Sequence, residues 1–173
     1  MSYTTNRQPQ GPSTDIDGFL REGLIAEIVA INDYSHFIKL TDNKEVREIF
    51  HHILEDEKRH YGLFLQALRK VDKEQAEMSI EALEHVRLSK KDKNKYNDYS
   101  GFKGGRGDVL TFIRENIKGE LEAILLYEKF VENIDDHILV SLIKSIIKDE
   151  KEHVEELTRA MVILDKDEYG PIG

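Results

Sequence analysis

The feature that most constrains the fold of this chain is an internal repeat. When residues 16–64 are laid over residues 109–157, an offset of 93 positions without a gap, 14 of the 49 positions are identical. A repeat at a fixed offset means that one structural unit is used twice, so it limits the architecture before any local pattern does. Both copies show apolar residues at helical spacing. The sequence therefore predicts one helix pair that occurs twice.

Six of the matched positions carry side chains that bind metals. Each repeat holds a Glu and, thirty positions later, a Glu-x-x-His pair. The six residues are Glu27, Glu57 and His60 in the first repeat, and Glu120, Glu150 and His153 in the second. Residues three apart share a helix face, so each pair directs a carboxylate and an imidazole at one point. In a four-helix bundle, this ligand pattern holds a pair of metal ions.

The Glu-x-x-His spacing alone is weak, because the chain has 34 acidic residues in 173. Asp33/His36 and Glu48/His51 show the same spacing. On a helix Glu57 lies on the apolar stripe, whereas Glu48 lies on the opposite face, so we expect the Glu48/His51 pair to face solvent. The histidines outside the two matched pairs are predicted to be surface residues: His36, His51, His52, His85 and His137.

Charge balance favours a metal centre over a structural Glu/His pair. Four carboxylates buried together without cations are very costly, and their like charges raise their pKa values. Two divalent cations would neutralise four carboxylates, and two imidazoles would complete the ligand set. A single buried pair would more often be structural, but two pairs and two further Glu at one offset favour metal. Nitrogen and oxygen ligands without thiolates suit iron or manganese.

Four more matched residues have roles that the sequence leaves open. Tyr34 and Tyr127 lie seven residues after Glu27 and Glu120, on the same helix face. Each is either a core aromatic residue with a satisfied hydroxyl group, or a hydrogen-bond donor to a carboxylate ligand, with a redox role as a lesser alternative. Asp56 and Asp149 precede the Glu-x-x-His pairs and point away from them, where they can reach a histidine of a neighbouring helix.

The predicted fold is all-α, a ferritin-like four-helix bundle. The helices are predicted at about 16–40, 44–71, 108–133 and 136–164, with a shorter helix at 74–88 whose Ala76, Ile80 and Leu83 face inward. Residues 89–107, rich in glycine and charge, are predicted to be a long crossover. Residues 1–15 and 165–173 are predicted to be flexible tails around a domain at 16–164. A homodimer or higher homo-oligomer is expected, because a long crossover permits exchange between chains.

Composition excludes several classes of function. The net charge of −9 argues against binding to nucleic acid or to an anionic membrane surface. The absence of cysteine excludes disulfides, thiolate catalysis and cysteine-bound metals, and it is compatible with a cytoplasmic protein. No apolar run approaches the roughly 20 residues that cross a bilayer. The sequence therefore predicts a helical protein that binds metal ions rather than nucleic acid or lipid.

A Glu followed by Glu-x-x-His, repeated over four helices, resembles the ferritin-like superfamily of di-iron carboxylate proteins. The seven-residue spacing from Glu to Tyr and the near-symmetric halves resemble its rubrerythrin and erythrin branch. The resemblance implies two iron ions, with manganese as an alternative, held by two bridging carboxylates, two terminal carboxylates and one imidazole each. The bridging carboxylates would be Glu57 and Glu150, the terminal carboxylates Glu27 and Glu120, and the imidazole ligands His60 and His153.

The chain departs from the rubrerythrin pattern at two points. Ala123 stands where rubrerythrins carry an additional Glu, and a cysteine-bound rubredoxin module is excluded. The resemblance then implies a ferroxidase that oxidises Fe(II) with dioxygen or peroxide, for iron storage, detoxification and protection from oxidative stress. It also implies a candidate shell partner, because the family includes cargo proteins of nanocompartments. The alternatives are a hydroperoxide reductase, a manganese catalase, and a non-enzymatic metal-binding or structural bundle.

Overall fold

The structure is a computed structural model that describes residues 15–85, 106–165 and 169–170. All regular secondary structure in these ranges is helical, and the five helices are α1 Ile16–Leu40, α2 Lys44–Val71, α3 Lys73–His85, α4 Arg106–Val131 and α5 His137–Leu164. α1, α2, α4 and α5 pack as a four-helix bundle, which confirms the predicted fold. Among the described residues, none of the helices combines the length and the apolarity that a bilayer crossing requires.

Side-chain caps explain why three of the helices begin where they do. Asp15 accepts a hydrogen bond from the backbone N–H of Gly18, and Asn43 accepts one from Val46. Asp136 caps α5 in the same way. Each cap satisfies N–H groups that have no partner within the helix. The predicted bounds of α1 and α2 are confirmed, whereas α4 begins about two residues before the predicted start.

In each repeat, an ion pair joins the first helix to the residue that follows the second. Arg21 near the start of α1 pairs with Asp72 at the end of α2, and Arg114 pairs with Asp165 at the end of α5, 2.5 Å away. The two pairs are related by the offset of 93 positions. Both arginines are partly exposed, so each pair adds little stability in water. The equivalent positions of the two ion pairs show that the two repeats fold alike.

Aromatic pairs join the two repeats across α1 and α4. Phe19 stacks on Phe130, and Phe37 stacks on Phe112 with ring centroids 4.8 Å apart. The offset relates these pairs as well, so the bundle has an approximate twofold axis between its halves. The buried apolar residues form two separate clusters, one around Phe37 and one around Phe19. The layer between these clusters is available for polar side chains.

The prediction that α3 turns an apolar face inward is wrong within the described residues. α3 has no buried residue, and Ile80 and Leu83 are 63% and 67% exposed. The spacing that indicates a helix is present, but no second element among the described residues covers this face. The predicted crossover falls mainly on residues 86–105, which lie outside the described residues.

The predicted tails also fall largely outside the described residues, at 1–14, 166–168 and 171–173. Tyr169 is described, and its hydroxyl accepts a hydrogen bond from Arg114 at 2.6 Å. Its ring packs against the apolar cluster around Phe37. The chain after α5 therefore contacts the bundle at this residue.

Gly23 of α1 is expected to tolerate no side chain. A Cβ atom there would lie 2.9 Å from the ring of Phe64, which is fully buried on α2. We expect Gly23→Ala to lower the free energy of unfolding by about 1–3 kcal/mol, because the ring must leave its packed position. The measurement is urea denaturation followed by circular dichroism.

Gly62→Ala is the matched control, because a Cβ atom at this exposed position of α2 meets nothing within 4 Å. We expect it to raise stability by about 0.5–1 kcal/mol through helix propensity. Equal effects of the two substitutions would contradict the close packing of α1 on α2 at Gly23.

Candidate metal centre

The six predicted ligands come together in the polar layer between the two apolar clusters. α1 and α4 each contribute one Glu, and α2 and α5 each contribute a Glu-x-x-His pair. All six side chains belong to residues that are at most 6% exposed: Glu27, Glu57, His60, Glu120, Glu150 and His153. Their burial follows from their place on the apolar stripes of the four helices. The assignment of these residues as metal ligands remains a prediction.

Two of the carboxylates lie between the two histidines. Glu57 places Oε2 3.5 Å from Nδ1 of His60 and Oε1 3.4 Å from Nδ1 of His153. Glu150 places Oε1 3.3 Å from Nδ1 of His60 and Oε2 3.1 Å from Nδ1 of His153. Each carboxylate thus presents one oxygen to each imidazole. This is the arrangement that a bridging carboxylate needs.

The other two carboxylates each approach one histidine. Glu27 lies 3.8 Å from His60, and Glu120 lies 4.0 Å from His153. The six residues thereby form two groups of four, each with potential ligand atoms within 4.8 Å of one another, and Glu57 and Glu150 belong to both groups. The geometry can accommodate two ions side by side, each with one imidazole and one carboxylate of its own.

Burial and like charge raise the pKa values of the outer carboxyl groups. The pKa of Glu27 lies well above its ordinary value, first because of burial and then because of the neighbouring Glu57 carboxylate. Glu120 is shifted in the same direction by burial and by Glu57 and Glu150. Without metal, protons therefore compensate the charge on these two groups.

The inner charges are compensated by the imidazoles. Burial alone would raise the pKa of Glu57, but the attraction of the nearby His153 and His60 imidazoles outweighs it and lowers this pKa. Burial opposes the charged imidazoles too, yet the facing Glu150 and Glu57 carboxylates raise the pKa of His60 to about 9 and that of His153 to about 12. Both rings are thus positively charged imidazolium groups at neutral pH in the metal-free protein.

Two ligand atoms in the centre have no hydrogen-bond partner. Oε1 of Glu57 and Nδ1 of His60 are fully buried and unpaired. Unpaired buried polar atoms are costly and rare in folded proteins. Both atoms point into the cluster, where a metal ion would satisfy them. The donor set therefore fits a pair of iron or manganese ions.

Tyr34 and Tyr127 donate hydrogen bonds to the outer carboxylates. The hydroxyl of Tyr34 lies 2.5 Å from Glu120, and that of Tyr127 lies 2.9 Å from Glu27. Each bond crosses from one repeat to the other, and burial raises the pKa of both phenols well above the ordinary value. The phenols thus remain donors that fix the orientation of one carboxylate each.

Asp56 and Asp149 lie near Nε2 of the histidines, on the side of each ring away from the cluster. The sequence left this role open. Nε2 of His60 lies 3.3 Å from Asp149, and Nε2 of His153 lies 3.6 Å from Asp56. Arg59 joins the two aspartates with contacts of 2.8 and 2.9 Å. A carboxylate behind a histidine directs the other ring nitrogen, here Nδ1, at the metal. The sequence signal was the matched Asp directly before each Glu-x-x-His pair.

The chance occurrences of the same spacing lie outside the centre. Glu48 is exposed, as the helix angle predicts, and His51 is half-buried; neither residue belongs to the two groups of potential ligands. His36, His52, His85 and His137 are exposed. Asp33 and His36 do not join the cluster, but they line a cavity that reaches it.

The chain is similar to known proteins in sequence and in fold. The rubrerythrin family profile matches residues 18–99. A two-domain protein of Anabaena variabilis with DJ-1/ThiJ/PfpI-like and ferritin-like domains has a TM-score of 0.67 at 18% identity, over 93% of this chain and 43% of that one. A hypothetical protein of Pyrococcus furiosus has a TM-score of 0.63 at 19% identity, over 87% of this chain and 90% of that one. Residues 18–99 are thus similar to the rubrerythrin family, and the fold of the chain is ferritin-like.

One curated relative is a cargo protein of a nanocompartment. Over 75 residues, 43% of this chain, the sequence is 36% identical to the encapsulin nanocompartment cargo protein EncC of Myxococcus xanthus. The match spans 58% of the length of that relative. Together with the rubrerythrin profile, this similarity supports a di-iron protein.

Metal binding at this centre is expected to release protons. The outer carboxyl groups and the two imidazoles hold up to about four protons in the metal-free protein, and all four groups must lose them to bind metal. Affinity for Mn(II) should rise with pH toward about 9, the pKa of His60, because fewer protons then compete. Calorimetric titration in two buffers with different ionisation enthalpies measures the release. A heat that is independent of the buffer would contradict the expectation.

Proposed function

We propose that this protein is a ferroxidase that oxidises pairs of Fe(II) ions with dioxygen or peroxide. The observation that carries the proposal is that Glu57 and Glu150 each lie between the two histidines, with one oxygen toward each imidazole. Two carboxylates that each face both histidines would hold two ions as a pair. A centre for a single ion would not need this arrangement.

The paired ions supply two electrons, one from each Fe(II), so that one peroxide molecule accepts two electrons and two protons and leaves as two water molecules. The chain's own groups prepare this reaction. Asp56 and Asp149 direct Nδ1 of each histidine inward, and Tyr34 and Tyr127 orient the outer carboxylates. Preorganised ligands of this kind do not have to rearrange when the ions change charge.

Iron as the electron donor suits the composition of this chain. It contains no cysteine, so the donor in this reaction is the substrate itself rather than a thiolate-bound carrier within these 173 residues. We further propose that the protein works inside a nanocompartment, with a shell protein as its partner. The similarity to a cargo protein of Myxococcus xanthus supports this location.

Loss of a bridging carboxylate should abolish rapid oxidation. Removal of groups that only support a ligand lowers metal affinity or activity by about 10–100-fold, so we expect Glu57→Gln and Glu150→Gln to slow Fe(II) oxidation by more than about 100-fold. The measurement is stopped-flow absorbance after anaerobic Fe(II) loading and mixing with air-saturated or peroxide-containing buffer. Glu48→Gln is the control, because it removes the same charge from the exposed Glu48/His51 pair.

Other outcomes would favour other functions. Unchanged oxidation by Glu57→Gln would refute the assignment of this centre. Tight Fe(II) binding without accelerated oxidation would indicate a metal-binding bundle. Peroxide consumption that requires an added reductant would indicate a hydroperoxide reductase, and peroxide disproportionation by the manganese-loaded protein would indicate a catalase.

A further inference from the structure

An exposed apolar surface lies on α4, on the side of the helix that points away from α1. Leu121 and Leu125 are 47% and 67% exposed, although both lie in the inner part of a bundle helix. At 100° per residue they lie within about 40° of each other, on the opposite side of α4 from Phe112, which stacks on α1. Adjoining exposed apolar side chains are typical of an interaction surface rather than of a solvated helix face.

Two opposite charges lie at equal distances from Leu121 along the same side of α4. Arg114 and Glu128 are each seven residues away, or about 10.5 Å along the helix, and within about 20° of Leu121 around its axis. The half-buried Ile117 lies four residues before Leu121, and Leu125 lies four residues after it. These five residues form the α4 stripe, which is apolar in the middle and charged at both ends.

Both charged residues of the α4 stripe remain accessible. Arg114 pairs with Asp165 at 2.5 Å, and Glu128 pairs with Lys151 at 2.6 Å. The side chains of Arg114 and Glu128 are nevertheless 49% and 46% exposed. Each can therefore contact a further charge. An apolar centre within a polar rim is the usual composition of a protein–protein interface.

The first repeat lacks this pattern. At the offset of 93 positions, Leu125 corresponds to Asn32 and Glu128 corresponds to Ser35. The equivalent side of α1 thus has neither the second exposed leucine nor the acidic residue. Because α1 forms the same helix pair without them, packing within the bundle does not require these two residues of α4.

The α4 stripe is complementary to itself. When two copies of α4 lie antiparallel about a twofold axis at Leu121, each Arg114 faces the partner's Glu128. Each Ile117 then faces the partner's Leu125. Pairing of α4 with itself makes two contacts between opposite charges, whereas pairing of α4 with α1 of another copy makes one and pairing of α1 with itself makes none. Twofold dimers are also the commonest homo-oligomers.

The charge of the α4 stripe suits the association of two like molecules. The chain has a net charge of −9, so two copies repel each other at most orientations. The stripe contains one positive and one negative residue and is therefore neutral. Contact through a neutral surface whose charges complement those of the partner avoids like charges at the interface.

We infer that two copies of this chain form a dimer in which the α4 stripes pack antiparallel across a twofold axis at Leu121. The dimer requires no exchange of segments between chains. The inference is independent of the proposed ferroxidase function, because the α4 stripe contains none of the six central residues.

Sedimentation equilibrium of the full chain tests the dimer. We expect a mass of twice 20.1 kDa for the wild type and a monomer for Leu121→Glu/Leu125→Glu. Four unpaired carboxylates would be buried at the axis and weaken association by more than about 100-fold.

Ile28→Glu/Asn32→Glu is the matched control, because it makes the same changes at the equivalent exposed positions of α1. We expect this variant to remain a dimer, and circular dichroism verifies that both variants are folded. A monomeric wild type, or equal effects of the two double substitutions, would overturn the dimer.

Single cysteines test the orientation, because the wild-type chain contains none. Leu121 faces its own copy at the axis, whereas the two copies of Leu125 would lie about 12 Å apart along it. A disulfide requires Cα atoms within about 7 Å, so we expect Leu121→Cys to form a covalent dimer at least about tenfold faster than Leu125→Cys under mild oxidation. Exposure alone would give the reverse order. Equal rates, or faster linkage by Leu125→Cys, would overturn the antiparallel arrangement.

Discussion

The structure depends on the mutual compensation of four carboxyl groups and two imidazoles that are buried at one level of the bundle. Burial raises the energy of every charge in this layer, and the like charges of the glutamates add to it. Imidazolium groups and protons balance the layer in the metal-free protein, and two divalent ions would balance it with the same total charge. The layer therefore exchanges protons for metal without a change in net charge.

The approximate twofold symmetry places the groups that orient the ligands of one repeat on the other repeat. Tyr34 contacts Glu120 and Tyr127 contacts Glu27, so each repeat orients a carboxylate of the other. The same crossing occurs between the aspartates and histidines of α2 and α5. Because these contacts join the two repeats, the geometry of the centre depends on the packing of both. The two apolar clusters on either side provide that packing.

The repeat allowed much of the fold to be predicted, because one offset identified the helix pairs and separated six central residues from chance spacings. The helix angle then placed Glu48 in solvent, where the structure has it. Contacts between helices were harder to predict. Asp56 and Asp149 point away from their own helix's ligands, so their role depends on how α2 and α5 face each other. The exposed Ile80 of α3 shows that helical spacing alone does not decide what covers an apolar face.

The departures from symmetry carry information that the repeat itself does not. Arg59 joins Asp56 to Asp149, whereas the equivalent residue of the second repeat is Glu152. One arginine suffices because it lies where the two halves meet and contacts both aspartates. An arginine in both repeats would place two like charges at the same junction. Because Arg59 lies near the twofold axis and contacts both aspartates, the equivalent position in the second repeat does not need an arginine.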